Sequence, residues 1–122
     1  MKHTNFFSSL KVAIIGWKGL YRESRNARIQ FTLFLFTLFA GLILDLNRFE
    51  WLWLLVASSI VLALEAVNTS IELLSDAFTL EFHPKIKQVK DIAAGAVLMA
   101  SVFAFIVGII IFAPHLCTLI PL

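Results

Sequence analysis

From Ile92 to Ala113 the chain carries no charged residue. At 1.5 Å of rise per residue such a helix is about 33 Å long, enough to cross the roughly 30 Å hydrocarbon core of a bilayer. Two shorter apolar runs precede it. One extends from Ile29 to Leu44 and is interrupted by Gln30 and Thr32. The other starts at Trp51, stays uncharged to Leu64, and keeps a helical pattern past Glu65, Asn68 and Glu72 to Ala77. Composition agrees with this reading: 60% of the 122 residues are apolar and 15% are charged. A soluble domain carries about 25% charge, and a short chain needs a large polar shell. A free soluble monomer is therefore excluded, and the excess apolar surface must face lipid, other subunits or both.

The expected fold is an all-α membrane protein forming one domain, with a surface helix over about 5–22 and spans over about 28–46, 50–77 and 89–113. The first apolar run lies too far from the start, and ends too abruptly at Asp45, to be a cleaved signal peptide. Cys117 is the single cysteine, so neither an intrachain disulfide nor a paired-cysteine metal motif can form. A net charge of +2 gives no reason to expect nucleic acid, and no soluble protein partner is evident.

The placement of charge is more informative than its sum. Of the ten basic residues, all but Arg48 fall before the first span or between the second and third. Basic loops stay inside. The expectation is a multi-pass cell-membrane protein with a cytoplasmic N-terminus and an external C-terminus. Asp45 to Glu50 would form a tight external turn, and Phe78 to Val89 a cytoplasmic loop. Trp51 and Trp53 stand where an outer aromatic belt would place them. Ahead of the spans, Phe6, Phe7, Leu10, Ala13, Ile14, Trp17, Leu20 and Tyr21 share one helical face flanked by Lys11 and Lys18. That pattern describes an amphipathic helix lying at the headgroups, or one packed on the chain's own spans.

The second span carries a polar stripe. Glu65, Asn68, Glu72 and Asp76 follow at intervals of three and four, which places them on one helix face. A charge at lipid depth costs about 2.5–3.5 kcal/mol on insertion scales, so the stripe must face protein, water, a metal ion or a ligand. It ends beside a basic loop with His83, Lys85, Lys87 and Lys90, and Asp91 follows at the start of the third span. Carboxylates suit Mg²⁺, and a nearby lysine suits a phosphate. A deeper carboxylate can take a proton from a hydroxyl at the membrane surface. By spacing alone the stripe also fits a proton or cation path in a small transporter or channel, or hydrogen-bonding glue between helices. Ala96, Ala100, Ala104 and Gly108 form a small-residue ridge on the third span that permits close helix contact. Three spans are few for enclosing such a stripe, which points to a symmetric oligomer.

At these residues the chain resembles the small bacterial membrane lipid kinases, the diacylglycerol kinase and undecaprenol kinase family. The likeness is strongest over Glu65-Ala66-Val67-Asn68-Thr69-Ser70-Ile71-Glu72 with Asp76. It continues at His83-Pro84 and over Lys90-Asp91-Ile92-Ala93-Ala94-Gly95-Ala96-Val97, and more loosely at Trp17-Lys18-Gly19-Leu20 and Asn26-Ala27-Arg28-Ile29-Gln30. The resemblance implies a homotrimer with active sites at subunit boundaries near the cytoplasmic face. It implies ATP as co-substrate, Mg²⁺ as cofactor and a membrane lipid alcohol as acceptor. In its terms Glu65 is the catalytic base and Glu72 a metal ligand. Asn68, Asp76, His83, Lys90 and Asp91 contact or orient the nucleotide.

One departure stands out. The family carries a second metal-binding glutamate two residues before the position of Asn26, and here that place holds Ser24, with Glu23 beside it. Glu23 is the candidate replacement; otherwise the second carboxylate is missing. The His83-Pro84 step and the run after Asp91 look closer to the undecaprenol branch, with diacylglycerol as the alternative acceptor.

Overall fold

A computed structural model describes residues 5–120 as four helices. Helix α1 spans Phe6–Glu23, α2 Arg25–Ile43, α3 Arg48–Phe78 and α4 Pro84–Leu119. Lys2 lies outside the described residues. Three of the helices, α2, α3 and α4, are long and apolar enough to cross a membrane. The protein is therefore a multi-pass membrane protein of the all-α class. Helix α1 is not among the spans.

Local chemistry sets the helix ends. Asn5 starts α1 by accepting from the Ser8 amide at 2.9 Å. Ser24 separates α1 from α2 with extended backbone; its amide closes the last turn of α1 on the Leu20 carbonyl, and its hydroxyl accepts from the Ala27 amide. Asn47 and Glu50 form a reciprocal capping box at the start of α3. Pro84 opens α4, where its missing N–H costs nothing. This start shortens the expected basic loop of Phe78 to Val89 to the five residues 79–83, and Lys85 and Lys87 become helical. Between α2 and α3, Asp45 takes a left-handed φ of 55°, a conformation that aspartate tolerates better than most residues.

Contacts between helices fix their directions. Ser24, just before α2, touches Glu65 on α3, while Gly41 near the end of α2 lies against Trp51 near the start of α3. Helices α2 and α3 are thus antiparallel. Asp76 pairs with Lys90 at one end of the α3–α4 pair, and Glu50 with His115 at the other, so these two are antiparallel as well. The register has a consequence for the site. Helix α2 begins at the level of Glu65, and the remainder of α3 to Phe78 runs on for about 20 Å.

The apolar core lies at the end away from this overhang, where Leu46, Leu54 and Ile111 are buried against Leu44, Trp51, Val107 and Phe112. Most other large apolar side chains of the spans are exposed in the single chain, among them Phe36, Leu42, Leu98 and Ile110. That is the surface of a protein solvated by lipid or by its own copies. The apolar face of α1 is divided: Leu20 is buried and Trp17 and Tyr21 pack on Phe31 of α2, whereas Phe6, Phe7 and Leu10 remain open.

Candidate active site

The stripe on α3 is polar along its length but not uniform in environment. Glu65 is 2% exposed and Asn68 is 5% exposed, whereas Glu72 and Asp76 are open. The difference follows from the register. Glu65 and Asn68 lie where the α1–α2 junction covers α3, and the later residues lie on the overhang.

At the covered end, the Ser24 hydroxyl donates to Glu65 Oε1 at 2.8 Å. Thr69, one turn later on α3, donates to the same oxygen at 3.5 Å, a marginal contact. Glu65 Oε2 is buried and has no hydrogen-bond partner. Asn68 donates through Nδ2 to Glu72 Oε1 at 3.2 Å, and its own Oδ1 is likewise buried without a partner. Leaving such acceptors unpaired costs about 1–3 kcal/mol each. Glu65 and Asn68 share one helix face, and Gln30 Oε1 on α2 is likewise buried without a partner.

At the open end the charges are paired. Lys90 Nζ contacts Asp76 Oδ1 at 2.6 Å, tying the end of α3 to the start of α4. Asp91 pairs with Lys87 one turn earlier on α4. His83 caps α4, its Nδ1 accepting from the Lys85 amide at 3.2 Å. Exposed pairs of this kind contribute at most about 1 kcal/mol, so an incoming phosphate can compete for Lys90 at little cost. Between α1 and α2, Trp17, Lys18, Tyr21, Arg22, Arg28 and Phe31 line an open hollow of about 580 Å³. The Arg28 guanidinium donates to the Tyr21 and Arg22 carbonyls at 2.9 and 3.0 Å, closing the last turn of α1.

The expected site residues therefore fall into three groups. Glu65, Asn68 and Glu72 share one continuous face, with Asn68 bonded to Glu72. Asp76, Lys90 and Asp91 gather at the α3–α4 end with His83 at the adjoining cap. Glu23 ends α1 with its side chain exposed, next to the buried Ser24. Among the described residues no three acidic, histidine or cysteine side chains cluster as a ready-made metal site. Mg²⁺ does not demand one, since it is commonly held by one or two carboxylates together with substrate phosphates. Glu72 offers an exposed carboxylate, one oxygen of which accepts from Asn68.

Two contacts escaped the sequence reading. Ser24 entered it only as a missing glutamate, although a serine just ahead of a helix is a recognisable cap signal. The His115–Glu50 contact, at 3.0 Å, joins residues far apart in sequence and left no periodic trace.

The fold and site are those of a three-span helical membrane protein with a half-buried acidic stripe at one end of its spans. The chain belongs to the prokaryotic diacylglycerol kinase family, whose model it matches over residues 11–112. It is 34% identical over 111 residues to the undecaprenol kinase of Bacillus subtilis (strain 168), covering 91% of this chain and 90% of that one. A diacylglycerol kinase of Synechocystis is 33% identical over 116 residues, covering 94% of this chain and 66% of its own length. A diacylglycerol kinase of Helicobacter pylori is 33% identical over 103 residues, covering 84% and 80%. The family assigns the protein a lipid-kinase activity, the transfer of phosphate to a membrane alcohol.

Proposed function

We propose that the protein transfers the γ-phosphate of ATP to undecaprenol, giving undecaprenyl phosphate and ADP. The observation that carries this reading is the match to the B. subtilis undecaprenol kinase over nine-tenths of both chains. Diacylglycerol, giving phosphatidic acid, is the second acceptor to weigh, because two relatives bear that name.

The chemistry follows from the stripe. Glu65 takes the proton of the lipid hydroxyl on Oε2, the oxygen without a partner, once the hydroxyl displaces the side chains that cover it in the single chain. The hydroxyl oxygen bonds to the γ-phosphorus as the bond to the β–γ bridging oxygen breaks, and ADP carries that oxygen away. Glu65 then gives its proton to water or product. Glu72, with Glu23 as the candidate second carboxylate, would hold Mg²⁺, which when bound neutralises charge on the phosphate oxygens. Lys90 exchanges Asp76 for phosphate, Asn68 orients the reacting groups, and Asp76, His83 and Asp91 border the nucleotide. Glu65 stands at the level where α2 begins, and at that depth a hydroxyl on a lipid meets a water-soluble donor.

The orientation that suits this reaction puts the basic end, with α1, in the cytoplasm. The apolar groove of about 510 Å³ between α2, α3 and α4, lined by residues such as Phe34, Leu62 and Phe105, suits an apolar chain or a neighbouring helix. A homotrimer is the assembly we propose, its subunits covering the apolar surface that the single chain leaves open.

The test is γ-phosphate transfer from radiolabelled ATP by the purified protein in mixed micelles, with undecaprenol and diacylglycerol in parallel and with or without Mg²⁺. Labelled undecaprenyl phosphate in large excess supports the first reading. Labelled phosphatidic acid in large excess transfers the assignment to diacylglycerol. No labelled lipid from folded protein overturns both.

A further inference from the structure

Ser24 occupies a position whose demands are unusually full for one hydroxyl. It ends α1 and begins α2, is 9% exposed, and lies against a carboxylate that is 2% exposed. A serine hydroxyl has one proton to donate and lone pairs to accept with. Here the acceptor side is engaged by the Ala27 amide at 3.0 Å and the proton by Glu65 Oε1 at 2.8 Å. The rotor has no remaining freedom. One end of the bond is anchored to backbone at a helix start, and the other fixes one oxygen of Glu65.

We propose that Ser24 is the positioning residue for Glu65. It holds Oε1 and so leaves Oε2 as the oxygen that receives the proton of the acceptor hydroxyl. This rests on the kinase reading above. An ionised carboxylate at residue 24, as the family carries, has no proton to donate and could not make this bond. The serine thus serves the base directly, by hydrogen bonding, and not as a substitute metal ligand. Thr69 is no rival for this role, since its contact with Oε1 is longer at 3.5 Å and it rides on the same helix as Glu65.

Two variants separate positioning from helix capping. Threonine and glycine are about equally good at a helix N-cap, but only threonine can donate to Glu65. The expected result is that Ser24→Thr retains most of the wild-type kcat, while Ser24→Gly lowers kcat roughly ten- to hundredfold with little change in the KM for ATP. Both should melt at similar temperatures in detergent. In a Glu65→Gln background the same glycine substitution should cost little more, because no base is left to position. Equal kcat for the threonine and glycine variants overturns the proposal while leaving the kinase reading intact, and so does a loss confined to KM. Wild-type protein inactive on both lipid alcohols overturns the kinase reading and the proposal with it.

Discussion

Glu65 and Glu72 lie two turns apart on α3, yet their surroundings differ. Glu65 is enclosed and held on one oxygen, and Glu72 is open and bonded to an amide. Replacing Glu65 by Gln should lower kcat by roughly 10²–10⁴-fold while leaving ATP binding in place. Replacing Glu72 by Gln should instead weaken ATP binding or abolish its Mg²⁺ dependence. Turnover paired with equilibrium nucleotide binding distinguishes the two outcomes. That these acids share one helix face was legible in the sequence, because intervals of three and four on an apolar helix bring residues together. Their unequal burial was not. It depends on where α2 begins against α3, and that register is a tertiary fact carried by Ser24, a residue with no periodic signal of its own.

At the scale of elements, the α2–α3 turn is the tightest joint. A Cβ added at Gly41 would stand 2.8 Å from Trp51 Cη2 and 3.0 Å from Leu46 Cδ1. Gly41→Ala should therefore destabilise the protein by about 1–3 kcal/mol, seen as a lower melting temperature in detergent, since the indole ring must move bodily. The α3 cap is a second handle. Asn47→Ala removes one half of the capping box and should cost about 1 kcal/mol by the same measurement. The bounds of these helices were partly legible. The apolar runs located α2 and the body of α3, but α4 starts at Pro84, well ahead of its charge-free stretch. Lysines on a helix that overhangs its neighbours read, in sequence, like lysines in a loop.

For the whole molecule, three helices bury few of their own side chains, and the acidic stripe has walls on only some sides. The proposed homotrimer would close both gaps, so cross-linking in native-like membranes should trap trimers; monomer alone would remove that assembly. Orientation has a built-in reporter. Cys117 is exposed and is the single cysteine, at the far end of α4 from Lys90. A membrane-impermeant thiol reagent added to intact cells should label it if the basic end is cytoplasmic, and labelling only after lysis would reverse the topology. The all-α, three-span class was legible from hydropathy because lipid tolerates few other solutions. How copies meet was not, because lipid-facing and copy-facing surfaces draw on the same apolar residues.

With Glu65 as the proposed base, the register of α2 against it would make bilayer thickness a variable of the chemistry. Helix α2 has 19 residues, a length of about 28 Å and slightly less than an average hydrocarbon core. A thicker bilayer would have to thin around it or draw the Ser24–Glu65 junction below the headgroups, away from water and nucleotide. A thinner one would leave that junction at the polar boundary without distortion. Lipid chain length would then tune turnover without touching a single active-site contact.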